Sequence, residues 1–127
     1  MQEVDALEDV CPSVAHDLDQ QFVALEMVPF PAGWHPDTGA IVYDLPDTYP
    51  QEQPDAYLPD DMRFEGERPL IMLRAGPPGW SKHCIHNFRD KWVPEYHSLL
   101  TMTRMIKESL KHPNESNPWK AAHQHSH

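Results

Sequence analysis

At 127 residues and 39% hydrophobic content the chain suffices for one domain with a modest core, and it contains no apolar run near the roughly 20 residues of a membrane span. Its net charge of −10 is unevenly placed: residues 1–62 hold fourteen Asp and Glu without a Lys or Arg, whereas residues 63–127 hold ten Lys and Arg against six acids. The basic half lacks the dense cationic stripe with interleaved aromatics of a nucleic-acid binder, and the acids at the N-terminus stand where a signal peptide carries positive charge, so a soluble cytoplasmic protein is expected. The acidic half reads either as a partner-selecting surface or as a salt-adapted composition.

In chain order, Val4, Leu7, Cys11, Val14 and Leu18 follow a helical spacing that Pro12 interrupts. This predicts a helix near residues 2–10, then a turn or short second helix from Ser13, with Cys11 as a packing residue. Gln21 to Val28 alternates, with Val23, Leu25 and Met27 on one side, and predicts a strand ended by Pro29, Pro31 and Gly33. Ala40 to Leu45 follows the turn-like His35 to Gly39 as a second, antiparallel strand. Prolines 46, 50, 54 and 59 predict an extended loop, pinned to the core by its tyrosines or, alternatively, serving as a polyproline ligand. A third strand is expected from about Asp55 to Phe64 and a fourth from Leu70 to Leu73, while residues 75–91, broken by Gly76, Pro77, Pro78 and Gly79, read as irregular. Pro94 suits a first helical position, and Tyr96, Leu99, Met102, Ile106 and Leu110 form one face of a helix that Pro113 terminates. Residues 1–113 are thus one domain, and residues 114–127 are a polar, flexible tail whose Trp119 can dock on the body.

Two cysteines, Cys11 and Cys84, cannot build a disulfide framework, and a reducing compartment leaves both as free thiols. Cys84 opens the run CIHNFRDKWVP, which holds a thiol on an irregular segment backed by Trp92 and Pro94. A thiolate that carries an acyl group needs this combination of access and fixed placement.

The C-x7-W-x-P spacing of Cys84, Trp92 and Pro94 resembles the active-site stretch of ubiquitin-conjugating E2 enzymes, and Tyr49-Pro50 followed by Pro54-Asp55 is similar to their YP-x-x-x-P stretch. The run Leu45 to Asp55, with Trp80 to His83 ahead of Trp92 to Pro94, resembles the prokaryotic E2-like branch found alongside E1-like, ubiquitin-like and JAB-peptidase partners. The resemblance covers about residues 20–111. It implies an α+β UBC fold: an N-terminal helix, a four-stranded antiparallel meander, an active-site loop and a C-terminal crossing helix. It implies Cys84 as thioester carrier for a ubiquitin-like modifier, an E1-like activating enzyme and a target protein amine as partners, and neither cofactor, metal, nucleic acid nor membrane. The asparagine that E2 enzymes place eight residues before the cysteine is absent, since that window reads Arg74, Ala75, Gly76.

Around the thiol, Lys82, His83 and His86, with Arg89 and Lys91 farther along, supply positive charge that favours ionisation. His83 is a candidate to act on the thiol or an oxyanion and Asn87 to supply an amide donor; the other reading makes both exposed turn residues. Trp80, Trp92, Pro94, Tyr49 and Pro50 are expected to support the site through packing. Three rivals stand beside this reading. His83, Cys84, His86 and His97, with the histidines of the tail, offer metal ligands; Cys84 with a distant base makes a cysteine hydrolase; and an E2-like module without catalysis binds a ubiquitin-like protein.

Overall fold

The computed structural model describes residues 2–9, 11, 13–17, 19–83, 92–94 and 97–113, and is an α+β structure whose body is mostly sheet. Helix α1 (Gln2–Glu8) precedes β1 (Ser13–Asp17), β2 (Phe22–Pro29), β3 (Trp34–His35) and β4 (Thr38–Asp44). Then come β5 (Asp55–Pro59), β6 (Arg63–Phe64), β7 (Met72–Leu73), β8 (Trp80–His83) and helix α2 (Leu99–Ser109). Six strands form one antiparallel sheet in the order β1-β2-β4-β5-β8-β7, and β3 pairs with β6 in a separate ribbon. Among the described residues no helix is long and apolar enough to cross a membrane.

The expected pairing of β2 with β4 is present, with Val23 opposite Tyr43 and Leu25 opposite Ile41. Beyond Leu25 the alternation fails. Three steps on β2, from Leu25 to Val28, match two on β4, from Ile41 to Gly39, so the strand carries a bulge. Met27, expected inward, sits at φ 56 and is 67% exposed, while Val28 takes the buried position.

The sheet has six strands where four were expected, and β1 and β8 are the additions. Ser13–Asp17 is a strand, not a turn or helix: its residues pair with Phe22–Glu26, and the Asp17 carboxylate accepts from the Gln20 N–H at 3.1 Å to turn the chain. Ladder hydrogen bonds there override the helical spacing of Val14. Trp80–His83, expected irregular, lies between β5 and β7. The expected Asp55–Phe64 strand is split, because Met62 donates to the Pro59 carbonyl and the chain turns before β6.

Helix α2 starts at Leu99, not at Pro94. The Ser98 hydroxyl caps it by accepting from the Thr101 N–H, and just before it His97 N–H donates to the Val93 carbonyl and Val93 N–H to His97 Nδ1. Tyr96 lies outside the described residues. The rest of the expected face is present: Leu99, Met102, Ile106 and Leu110 are buried against Val23, Leu25, Ile41, Tyr43 and Leu58, with Leu7 and Cys11 from the N-terminal segment in the same core.

Three buried polar bonds join α2 to the strands. Thr103 donates to the Leu99 carbonyl, so its oxygen accepts from the Tyr43 hydroxyl at 2.6 Å; the Trp34 indole N–H donates to the Leu110 carbonyl at 2.9 Å; and His83 meets Ser109 at 3.0 Å. Gly33, at φ +101, leaves room for the Phe64 ring, which a Cβ would meet at 2.6 Å, and this approach lets Phe64 and Phe30 close on Trp34.

The bulge yields a contrast in stability. Met27→Gly removes a left-handed non-glycine residue and little burial, so stability should hold or rise by up to about 1 kcal/mol in urea unfolding. Leu25→Ala, two positions away and fully buried, should cost about 2–5 kcal/mol. A larger loss for Met27→Gly than for Leu25→Ala would contradict the bulge.

Candidate functional site

Strand β8 brings the chain to Cys84 and is fixed on both sides. Tyr57 of β5 pairs with Lys82, and Leu73 and Met72 of β7 pair with Lys82 and His83. Its inward side chains are polar and buried: Ser81 and His83 are each 0% exposed. Ser81 donates to the Asp60 carboxylate, and the Arg68 guanidinium reaches both, at 2.8 Å to Asp60 and 2.8 Å to Ser81. The same guanidinium donates to the carbonyls of Met72 and Leu73, so one side chain holds β7 and β8 together. The Ser81 hydrogen bond, and then Arg68, hold the Asp60 carboxyl below its usual range.

His83 has a setting other than either expectation for it. Ser109 donates its hydroxyl proton to the Ile106 carbonyl at 2.6 Å, so its oxygen accepts from His83 Nε2–H. Burial pushes the ring pKa down to about 3. The imidazole is therefore neutral, a weak base and a poor proton donor at neutral pH. Its evident task is to pin β8 to the last turn of α2. Lys82, expected to favour a thiolate, places its ammonium 3.4 Å from the Asp55 carboxylate, which offsets part of its charge.

The two motif stretches meet in space. The Trp92 indole N–H donates to the Pro50 carbonyl at 2.8 Å, and its ring lies 6.4 Å from Tyr49 and 5.5 Å from the His97 imidazole. Tyr49, Pro50 and Trp92 thus form one support, with Pro94 in the turn that follows. Trp80 does not join it: the residue is half-buried on the outer face of the sheet, beside Tyr57 and Pro77. Gly76, at φ +127, permits that packing, since a Cβ would lie 3.0 Å from the Tyr57 ring. Cys84, His86 and Asn87, named from the sequence as catalytic candidates, lie outside the described residues, as do Arg89, Lys91 and residues 114–127. Of the metal-ligand reading, His83 is bonded to Ser109 and His97 to Val93.

Sequence reasoning missed Gln53. It is 4% exposed, and neither its amide oxygen nor its amide nitrogen has a hydrogen-bond partner among the described residues. An orphaned buried amide costs about 1–3 kcal/mol and calls for a reason. Gln53 lies just before β5, and β8 runs antiparallel to β5, so the C-terminal end of β8 is at the Gln53 end of that strand. Its place between two loop prolines gave no signal beyond an extended loop.

Burial of His83 makes stability depend on pH. Below the ordinary histidine pKa of 6.5 the unfolded chain takes up a proton that the folded ring refuses until about pH 3, so the contribution is complete above 6.5 and drains as pH falls. The slope is up to about 1.4 kcal/mol per pH unit. Urea unfolding of the native protein and of His83→Gln should converge by up to about 2 kcal/mol between pH 7 and pH 5; parallel losses would mean that the ring titrates normally. Compared with protein-family models, with curated proteins and with solved structures, the chain shows no significant match to any of the three.

Proposed function

We propose that the chain is an E2-like conjugating enzyme that carries a ubiquitin-like modifier as a thioester on Cys84 in a prokaryotic conjugation pathway. The observation that carries this reading is the contact of Trp92 with Tyr49 and Pro50, which joins the two motif stretches from which the resemblance arose. Acyl transfer needs a thiol in a fixed place, and the anchoring of β8 before the thiol segment in sequence and of Trp92 after it supports this reading.

In this reading the Cys84 thiolate attacks the thioester carbonyl of the modifier on an E1-like enzyme, and the E1 thiolate leaves. A target amine then attacks the new thioester, gives up a proton and expels the Cys84 thiolate. His83 drops out as the base, because a neutral ring with a pKa about 3 binds a proton too weakly. His86 and Asn87 keep their proposed roles, and the Gln53 amide is a second donor for the oxyanion that the missing asparagine leaves unserved. Asp5, Glu8 and Asp9 on and beside α1 are exposed and offer an acidic docking end to a basic E1 surface. The missing asparagine and the neutral His83 favour a second reading, an E2-like module that binds a ubiquitin-like protein without catalysis.

Cys11 is 6% exposed, and burial pushes its thiol pKa up, so it should resist alkylation. In the native protein iodoacetamide should label Cys84 much faster than Cys11. Incubation with a matching E1-like enzyme, ATP and modifier should give an adduct that a thiol reductant removes and that Cys84→Ser abolishes or converts to a reductant-resistant ester. Equal labelling, or a reductant-sensitive adduct on Cys84→Ser, would sink the assignment; binding of the modifier with no adduct would select the second reading.

A further inference from the structure

The strands β1, β2, β4 and β5 all come from the half of the chain that holds no Lys or Arg. Their inward residues build the core, so their charges gather on the other face of the sheet. On that face lies a groove of about 620 Å³. Its floor is apolar and aromatic, with Phe22 and Ala24 from β2, Val42 from β4, Tyr57 from β5 and Trp80 from β8. Among the described residues no helix covers it, since α1 and α2 pack on the opposite side against Leu25, Ile41 and Leu58.

The groove is acidic at both ends. Glu26 stands at the Ala40 end of the β2–β4 pair and Asp44 at the other, opposite Phe22. Both carboxylates are exposed, and no ion pair engages either among the described residues. Lys82, on the same face, is already drawn to Asp55. The Tyr57 hydroxyl pKa is raised by burial and then by the charges of Asp55 and Asp44, so their negative potential reaches the groove floor.

We propose that this groove binds an extended peptide segment of a partner protein, with an apolar side chain flanked by Lys or Arg. The spacing follows from the strand geometry. Asp44 and the Ala40 level at which Glu26 stands are four residues apart, or about 13 Å along a strand. An extended ligand places residues i, i+2 and i+4 on one face with the same repeat, so cations at i and i+4 reach the two carboxylates while the residue between meets Val42 and Tyr57. The aliphatic stems of Lys or Arg lie on aromatic and apolar floor, and their heads find ring faces and carboxylates. An acidic or uncharged segment meets the same floor without that complementarity. The surface is independent of the thiol chemistry at Cys84.

The test uses blocked, fluorescently labelled pentapeptides on the full-length protein, read by anisotropy. Lys-Thr-Leu-Thr-Lys should bind, the same residues ordered Lys-Lys-Thr-Leu-Thr should bind at least threefold more weakly, and Glu-Thr-Leu-Thr-Glu should not bind. The double variant Glu26→Gln/Asp44→Asn should weaken binding about three- to tenfold, the effect of losing two exposed charge pairs. Val42→Lys should abolish it, with an unchanged far-ultraviolet spectrum to show that the fold is kept. No binding of Lys-Thr-Leu-Thr-Lys, equal binding of all three peptides, or variants that bind like the native protein would overturn the proposal. So would a mass that doubles with concentration and reverts to monomer in Val42→Lys, since a second copy would then be the occupant.

Discussion

Attachment of α2 to the sheet is the constraint on which the remaining structure depends. Leu99, Met102, Ile106 and Leu110 supply the apolar contact, but apolar contact alone permits sliding along the helix axis. Tyr43, Trp34 and His83 remove that freedom, because each makes a directional bond to one place on α2: the Thr103 hydroxyl, the Leu110 carbonyl and the Ser109 hydroxyl. They come from three strands, β4, β3 and β8, so the helix is fixed at several points along its length. Each polar group is buried, and loss of one partner leaves the other unsatisfied at a cost of about 1–3 kcal/mol. A large burial penalty on ionisation likewise keeps the Tyr43 phenol protonated and the His83 ring neutral.

This attachment reaches the proposed site through β8. His83 is the last residue of that strand and Cys84 the next in sequence. Ser81, two residues earlier, is held by Asp60 and Arg68, so β8 is bound by its ladder, by a charged network and by the helix together. On the far side of the thiol segment, Trp92 is bonded to the proline-rich loop at Pro50. Prolines in that loop have fixed φ and lose little entropy on ordering, which makes the loop a suitable anchor for a tryptophan 42 residues away.

How much of this was legible in the sequence depended on whether a buried face was also an apolar face. The β2 and β4 strands and the stripe of α2 were readable, since Val23, Leu25, Ile41, Leu99, Met102 and Ile106 repeat with the period of their elements. Strand β8 was not, because it turns Ser81 and His83 inward and leaves Trp80 and Lys82 outside, which inverts the usual pattern. The Arg68–Asp60 network and Ser109 help make those polar positions tolerable in the core, and such partners are distant in sequence. Met27 misled because the bulge moves the inward register by one residue, and Pro94 because Ser98 offers a better cap. Of the candidate site, the motifs named the two stretches that the contact of Trp92 with Tyr49 and Pro50 joins; the burial of His83 and the orphaned amide of Gln53 were not legible, since neither leaves a mark on local sequence.

The account's central claim is that the helix holds the strand leading to Cys84. Native-state hydrogen exchange on Ser109→Ala tests it most directly, because the substitution removes the hydroxyl that joins His83 Nε2 to α2. The account predicts roughly tenfold faster exchange of the β8 amides, including that of Lys82, which donates to the Ala75 carbonyl, with β1 and β2 unchanged. Unchanged exchange in β8, or an equal acceleration across the whole sheet, would contradict it.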